Sequence, residues 1–160
     1  MELFGFVISI ETVEVFKHLL LAALLGSFLG IERVFAHKMA GVRTYALVSM
    51  GAALFIVIST SITPLYVDVT NFDPLRMAAS VIVGIGFIGA GIIIFRDSRV
   101  RGLTTATGLW VAAGIGMASG FGLYAIAIFA AFITLIIFTV MWFFEQEIKK
   151  VSGDWDEDEP

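Results

Sequence analysis

The stretch GIGFIGAG, residues 84–91, begins with the spacing G-x-G-x-x-G, which is typical of a dinucleotide-binding turn. Such a turn needs a preceding strand, a following helix and an acidic residue about 20 residues further on for the ribose. The sequence around Thr104 reads RGLTTATGL and contains no acid, and after Asp97 the next acid is Glu145. The glycines also lie inside the apolar segment 77–95, where a phosphate would not be solvated. The spacing therefore does not indicate a nucleotide site.

Glu32 and Arg33 end the first apolar segment and are the next residues that could carry chemistry. A carboxylate at a helix C-terminus meets the negative end of the helix dipole, which is unfavourable. We therefore expect a cationic partner for Glu32, and the candidates are Arg33, Arg43 and Arg101. An ion pair that fixes the loop geometry is favoured slightly over a role in substrate binding.

Asp73 and Pro74 open the third apolar segment with a typical helix start, an N-cap residue followed by proline at the first helical position. Capping alone explains both residues. It does not explain Arg76, whose charge in the first turn opposes the helix dipole unless Asp73 or Asp68 pairs with it. The functional alternative is an outward-facing polar entrance.

The segment RDSRVRGLTT carries Arg96, Arg99 and Arg101 between two apolar segments. A cytoplasmic position explains the three arginines by itself, and Thr104 or Thr105 is predicted to cap the helix that follows. A helix N-terminus beside three arginines would also suit an anion such as a lipid headgroup or a phosphate. The two interpretations are compatible, and the first is favoured.

The residue types that usually carry catalysis or bind metals are sparse in this chain. There is no cysteine, the two histidines (His18 and His37) are isolated, and no Ser–His–Asp set is visible. A divalent ion would depend on Glu32, Asp73 and Asp97 together with hydroxyls and carbonyls, because the central parts of the apolar segments lack carboxylates. We therefore expect no enzyme activity and no cofactor, and a metal site stays an open question.

The composition is that of a membrane protein. Hydrophobic residues make up 59% and charged residues 15% of the 160 residues, and this apolar excess has no soluble core large enough to hold it. Five of the 14 acidic residues lie in DWDEDE near the C-terminus, and without this tail the net charge of −4 becomes +1. The body is thus not a strongly charged binding surface, and a lipid bilayer rather than nucleic acid is the expected partner.

The apolar segments predict an all-α integral membrane protein, a compact bundle of five transmembrane helices. The predicted helices cover residues 13–31, 45–62, 77–95, 103–119 and 121–144. The first is the least plain, because Glu14, Lys17 and His18 must then lie near one interface. The other four meet the length and apolarity that a span needs.

The basic residues predict the orientation of the bundle. Five spans place eight of the ten on one side, namely Arg33, Lys38, Arg43, Arg96, Arg99, Arg101, Lys149 and Lys150. The positive-inside bias then puts the C-terminus in the cytoplasm and the N-terminus outside. Residues 1–12 are accordingly predicted to be extracytoplasmic, and residues 145–160 to form an acidic, disordered cytoplasmic tail.

Small residues recur at helical spacing in three of the predicted spans. In lipid, helices associate by close van der Waals contact, which small side chains permit. The predicted packing residues are Ala22, Gly26 and Gly30 in the first span, Gly84, Gly86, Gly89 and Ala90 in the third, and Gly108, Ala112, Gly116 and Gly120 in the fourth. A tight bundle is expected, with a second copy or another membrane protein as a further packing partner.

Three ordered blocks resemble the membrane domain of the MgtC/SapB family: GSFLGIERVFAHKMAGVRTYALVSMGAALF, DPLRMAASVIVGIGFIGAGII and VRGLTTATGLWVAAGIGMASGFGLY. The resemblance covers roughly residues 15 to 145. It implies a prokaryotic protein of the cytoplasmic membrane, linked to growth in low Mg²⁺, with Mg²⁺ as a ligand or a transported ion. Members are also described as regulators that bind other membrane proteins, including the rotary ATP synthase. Longer relatives carry a cytoplasmic ACT-like domain after the membrane region.

Two functions are compatible with these observations. The first, which we favour, is a non-enzymatic membrane modulator involved in Mg²⁺ homeostasis or adaptation to acid stress. It fits the small-residue faces and the lack of carboxylates within the spans. The alternative is a small ion transporter or transporter subunit, with Glu32, Asp73 and Arg76 lining its two mouths.

Overall fold

The computed structural model describes residues 2–3, 6–7, 10–66, 73, 75–96 and 99–152, and five helices make up most of them. The helices are α1 (Ile10–Phe35), α2 (Val42–Ile62), α3 (Leu75–Ile92), α4 (Leu103–Gly120) and α5 (Tyr124–Ser152), with a short 3-10 helix at Thr63–Leu65. Strands β1 (Glu2–Leu3) and β2 (Phe6–Val7) pair antiparallel, as do β3 (Ile94–Arg96) and β4 (Arg99–Arg101). The predicted five-helix bundle is confirmed, whereas the two short strand pairs were not predicted.

Four of the helices, α1, α2, α3 and α5, are long and apolar enough to cross a membrane. Both α1 and α4 were predicted as spans, and by length and apolarity α1 qualifies whereas α4 does not. Glycine, alanine and threonine supply much of α4 and make it less apolar than its neighbours. Since α4 also contacts each of the other four helices, its surface is largely covered by protein instead of lipid.

Most predicted boundaries differ from the structure by a few residues, and three of the differences change how a segment is interpreted. Helix α1 begins at Ile10, inside the segment predicted to precede the bundle, and α3 ends at Ile92 because residues 94–96 pair as β3. Helix α5 continues past Phe144 to Ser152, where a disordered tail was expected to have begun. An ion pair of 3.0 Å between Lys150 and Glu147, three residues apart, supports this extension. The acidic residues 153–160 lie outside the described residues.

Close contacts show how the helices run relative to one another. Helices α1 and α2 are antiparallel, since Gly30 lies against Val42 and Gly26, one turn earlier, lies against Tyr45 and Ser49. They are joined by a tight turn in which His37 has a left-handed φ of 54°.

Helix α4 runs parallel to α2, and α3 and α5 run antiparallel to α4. Gly108 lies against Tyr45 of α2 and Phe138 of α5, and Gly89 of α3 lies against Ala106. Five helix ends therefore meet at one end of the bundle, which we call the basic end. The described basic residues there include Arg33, Lys38, Arg43, Arg99 and Arg101.

The closest packing in the bundle joins α4 to the backbone of α2. A Cβ on Gly116 would collide with the carbonyl group of Ser49, and one on Gly120 would lie 2.7 Å from the carbonyl oxygen of Ala53. Real side chains do not approach backbone this closely, so only glycine allows α4 to reach this position. Ala112, on the same helix, is fully buried.

Helix α1 approaches α2 through a similar pair of glycines. A Cβ on either Gly26 or Gly30 would lie 2.5 Å from backbone atoms of α2, Tyr45 O in one case and Val42 Cα in the other. Ala22, one turn before Gly26, is fully buried. The expected small-residue contacts of the first and fourth spans thus lie between helices of this chain.

The third span departs from its predicted packing. Helix α3 faces the bundle with Ile85 and Gly89, its only two residues described as buried. No heavy atom lies within 4 Å of a Cβ placed on Gly84 or Gly86, and Ala90 is exposed. Those three residues therefore do not form a packing seam within this chain, because α3 turns a different side toward α4. On its α2 side, Gly84 instead lines an apolar cleft of about 550 Å³.

We predict that Gly116→Ala destabilises the bundle and that Gly114→Ala, on the same helix, does not. Gly114 has open space where its Cβ would stand, so this change should stabilise by about 0.5–1 kcal/mol through backbone entropy alone. In Gly116→Ala the clash with Ser49 outweighs this gain, because it lowers the free energy of unfolding by about 2–3 kcal/mol. Unfolding titrations in detergent measure both free energies. Equal stability of the two variants would show that α4 and α2 are not in backbone contact.

Candidate functional site

Arg33 is a buried cation at the basic end of the bundle, with only 3% of its surface exposed. Its guanidinium lies over the ring of Phe138, 4.3 Å from the centroid, which is cation–π geometry. Its Nη1 is 3.4 Å from Oε2 of Glu32, whose side chain is 16% exposed. Of the three cations expected as partners for Glu32, Arg33 is therefore the one that pairs with it.

Tyr45 brings α2 and α4 into the same region. It is fully buried, and its hydroxyl donates a long hydrogen bond of 3.5 Å to the carbonyl oxygen of Thr105. Gly108 makes room for this arrangement, since a Cβ there would collide with the Tyr45 hydroxyl and lie 2.7 Å from Cζ of Phe138. Four helices thus contribute to one group, which we call the arginine cluster: Glu32, Arg33, Tyr45, Thr105 and Phe138.

Several polar atoms in and beside the arginine cluster are buried without a hydrogen bond from the described residues. They are Nε of Arg33, Oε2 of Glu32 and Oγ of Ser49, one turn along α2 from Tyr45. Removing either charge of a buried pair leaves the other uncompensated, which costs far more than an exposed pair contributes. Arg33 therefore joins the end of α1 to α5 through Phe138, and Glu32 keeps the net charge of the cluster close to zero.

Most of the other polar residues predicted for this region are exposed on the surface of the chain. Arg43, Arg101 and Thr104 are exposed at the basic end, whereas Thr105 is buried. Neither threonine caps α4, so that prediction is wrong. The N-cap residue is Gly102, whose φ of 85° favours glycine and whose backbone lies against the carbonyl oxygen of Ile92. A side chain at this position would collide with the end of α3.

Asp73 and Arg76 lie at the opposite end of α3, so the eight predicted polar residues do not form a single cluster. The Leu75 N–H donates to Oδ1 of Asp73 at 2.9 Å, which is the expected capping contact. Arg76 is exposed, and within residues 10–66, 73, 75–96 and 99–152 it has no ion pair. Asp68, the other partner suggested for it, lies outside the described residues.

Reasoning from the sequence missed Tyr45 and Phe138, whereas Ser49 was considered only as a hydroxyl ligand for a divalent ion. Tyr45 and Ser49 are one helical turn apart, and a tyrosine and a serine on the same side of an apolar helix are a signal that could have been used. Phe138 lies in the run FITLIIFTV, where nothing distinguishes it from phenylalanines that face lipid. In the part of the chain that the structure describes, no three His, Asp or Glu side chains are grouped as metal ligands.

We predict that Glu32→Gln destabilises the bundle by about 1–3 kcal/mol, because it leaves the buried charge of Arg33 without its counter-charge. The double variant Glu32→Gln with Arg33→Met should recover most of this loss, since an apolar replacement of a buried pair is often nearly neutral. Unfolding in detergent gives the free energies for a double-mutant cycle.

The exposed pair Glu14–Lys17 is the matched control, with a shorter distance of 2.6 Å but side chains 46% and 59% exposed. Glu14→Gln should cost much less than Glu32→Gln, because an exposed pair contributes little. If Glu32→Gln costs no more than Glu14→Gln, burial of Arg33 does not make its pair important for stability.

Known proteins resemble this chain along most of its length. The MgtC family matches residues 19–147. YhiD of Escherichia coli (strain K12), whose name proposes a role as a magnesium transporter, is 43% identical over 81% of this chain and 61% of its own length. Protein MgtC of Salmonella typhimurium (strain LT2) and of Brucella abortus (strain 2308) are each 47% identical, over 58% and 55% of this chain and 37% and 34% of their own lengths.

The chain thus spans about three fifths of YhiD and about a third of each MgtC protein. No solved structure matches it significantly. The family match covers the cluster residues on all four contributing helices, from Arg33 to Phe138. With a family match over far more than half of its residues and with this helical architecture, the chain belongs to the MgtC family.

Proposed function

We propose that this chain is a non-enzymatic modulator of other membrane proteins that serves adaptation to low Mg²⁺ or acid stress in a prokaryotic cytoplasmic membrane. Membership of the MgtC family and the magnesium-related name of YhiD support the link to Mg²⁺. The basic residues support an orientation with the basic end in the cytoplasm. The partner would be a second copy or another membrane protein such as the rotary ATP synthase.

The observation that carries the preference for modulation is the way the bundle interior is filled. Gly116 lies directly against the backbone of Ser49, so α2 and α4 touch where a central path would run. Of the buried hydroxyls near this level, that of Ser119 donates to the Ile115 carbonyl at 3.0 Å, whereas Oγ of Ser49 has no hydrogen bond from the described residues. A hydrated Mg²⁺ ion needs several oxygen ligands, and the single unpaired hydroxyl of Ser49 cannot replace its water shell.

The charge of Arg33 also favours modulation over cation transport. A divalent cation that approached Glu32 from the basic end would meet the guanidinium 3.4 Å from the carboxylate. Cation pathways usually present uncompensated acidic groups, whereas this acid is already neutralised. The arginine cluster therefore supports a structural role for Glu32 in holding the end of the bundle.

Transport of Mg²⁺ is the second candidate, favoured by the name of YhiD and by the polar residues at both ends. Glu32 is partly exposed at the basic end, and Asp73 with Arg76 is exposed at the other. A path between them would require α2 and α4 to separate at Gly116. The two functions can therefore be distinguished by flux.

We predict that the purified chain, reconstituted in liposomes that enclose a Mg²⁺-sensitive dye, shows no flux above protein-free liposomes. The reason is the closed contact between α2 and α4. Expression of the same chain should restore growth in low Mg²⁺ to a host that lacks its own relative. Saturable flux that is lost in Glu32→Gln but kept in the control Glu14→Gln would overturn modulation in favour of transport.

A further inference from the structure

The strand pair β3–β4 lies at the basic end of the bundle. It connects the end of α3 to the start of α4, and Gly102 fixes its second strand against the carbonyl oxygen of Ile92. The register pairs Phe95 with Val100, and it pairs Ile94 with Arg101. The connection is thus an ordered antiparallel pair that holds its residues at defined positions.

The register divides the pair into two chemically different faces. Residues directly opposite each other share a face, and neighbours along a strand alternate between faces. Phe95 and Val100 therefore share one face, and they are 73% and 55% exposed. Arg99 and Arg101, two residues apart, share the other face with Ile94, which is opposite Arg101, and all three are exposed. One face thus carries two apolar side chains, and the other carries two cations beside one apolar side chain.

The length of α3 places this pair at the membrane boundary. Its 18 residues rise about 27 Å, close to the roughly 30 Å of a bilayer's hydrocarbon core. A pair directly beyond α3 therefore lies at the level of the headgroups. At this depth an exposed phenylalanine can reach the acyl chains while arginine remains among phosphates.

We propose that the β3–β4 pair binds anionic phospholipid, with Phe95 and Val100 in the acyl boundary and Arg99 and Arg101 on the headgroup phosphates. Charge complementarity selects an anionic lipid over a zwitterionic one. The apolar face selects a lipid over a free anion, since a soluble phosphate would leave Phe95 and Val100 in water. This surface is independent of whether the bundle modulates other proteins or transports ions.

Native mass spectrometry of the detergent-purified chain, titrated with phosphatidylglycerol or phosphatidylcholine, tests the proposal. Phosphatidylglycerol should bind more tightly. Each arginine near the surface contributes about fivefold to affinity, so Arg99→Gln with Arg101→Gln should weaken phosphatidylglycerol binding by roughly 25-fold. The charge-conserving pair Arg99→Lys with Arg101→Lys should retain most of the binding, which separates lost charge from misfolding.

Two matched controls lie on α3. Arg76→Gln removes an exposed arginine at the far end of the helix and should leave this binding unchanged. Phe95→Ser should weaken it, whereas Phe87→Ser, at a residue 83% exposed within the span, should not.

Three results would overturn the proposal. The first is undiminished phosphatidylglycerol binding in the double glutamine variant. The second is equal binding of the two lipids by the wild-type chain. The third is full displacement of the lipid by millimolar inorganic phosphate, which would identify a site for a free anion instead.

Discussion

The arrangement of this bundle depends on one contact, that of the glycine face of α4 with the backbone of α2. In a bilayer, burying apolar side chains does not drive helices together, because lipid is equally apolar, so close van der Waals approach must do so. Gly116 and Gly120 allow α4 to touch the carbonyl groups of Ser49 and Ala53. Once α4 is in this position, it can contact every other helix. A methyl group at either glycine would push the two backbones apart.

The close contact between α4 and α2 also positions the residues of the arginine cluster. Gly108, two turns before Gly116 on α4, leaves space for the Tyr45 hydroxyl and for the ring of Phe138, over which the guanidinium of Arg33 lies. The buried charge is thus positioned by glycine packing, its contact with the Phe138 ring joins the end of α1 to α5, and Glu32 supplies its counter-charge within α1. Small residues set the separation of the helices, and the cation–π contact links α1 to α5. Both features favour a bundle with a closed interior.

Much of this fold could be predicted from the sequence, because apolar length locates helices and four-residue spacing locates glycine faces. A local sequence pattern does not show which helix, if any, packs against each glycine face. Gly84 and Gly116 both lie at helical spacing from other small residues, yet one is open and the other touches backbone. Helix α4 was likewise counted among the clear spans, although its glycines and threonines make it less apolar than the helices that qualify. The cluster was only partly predictable, since Glu32 next to Arg33 is visible as a pair but Phe138 comes from a distant part of the chain.

Solid-state NMR of the chain in lipid bilayers tests the central contact most directly, with ¹³C at the Cα of glycine and at the carbonyl of serine. The account predicts a through-space cross-peak between Gly116 Cα and the Ser49 carbonyl, at a van der Waals separation of about 4 Å. The cross-peak should vanish in Ser49→Ala, where residue 49 carries no label. A bilayer spectrum that shows both assigned resonances but no contact between them would contradict the account.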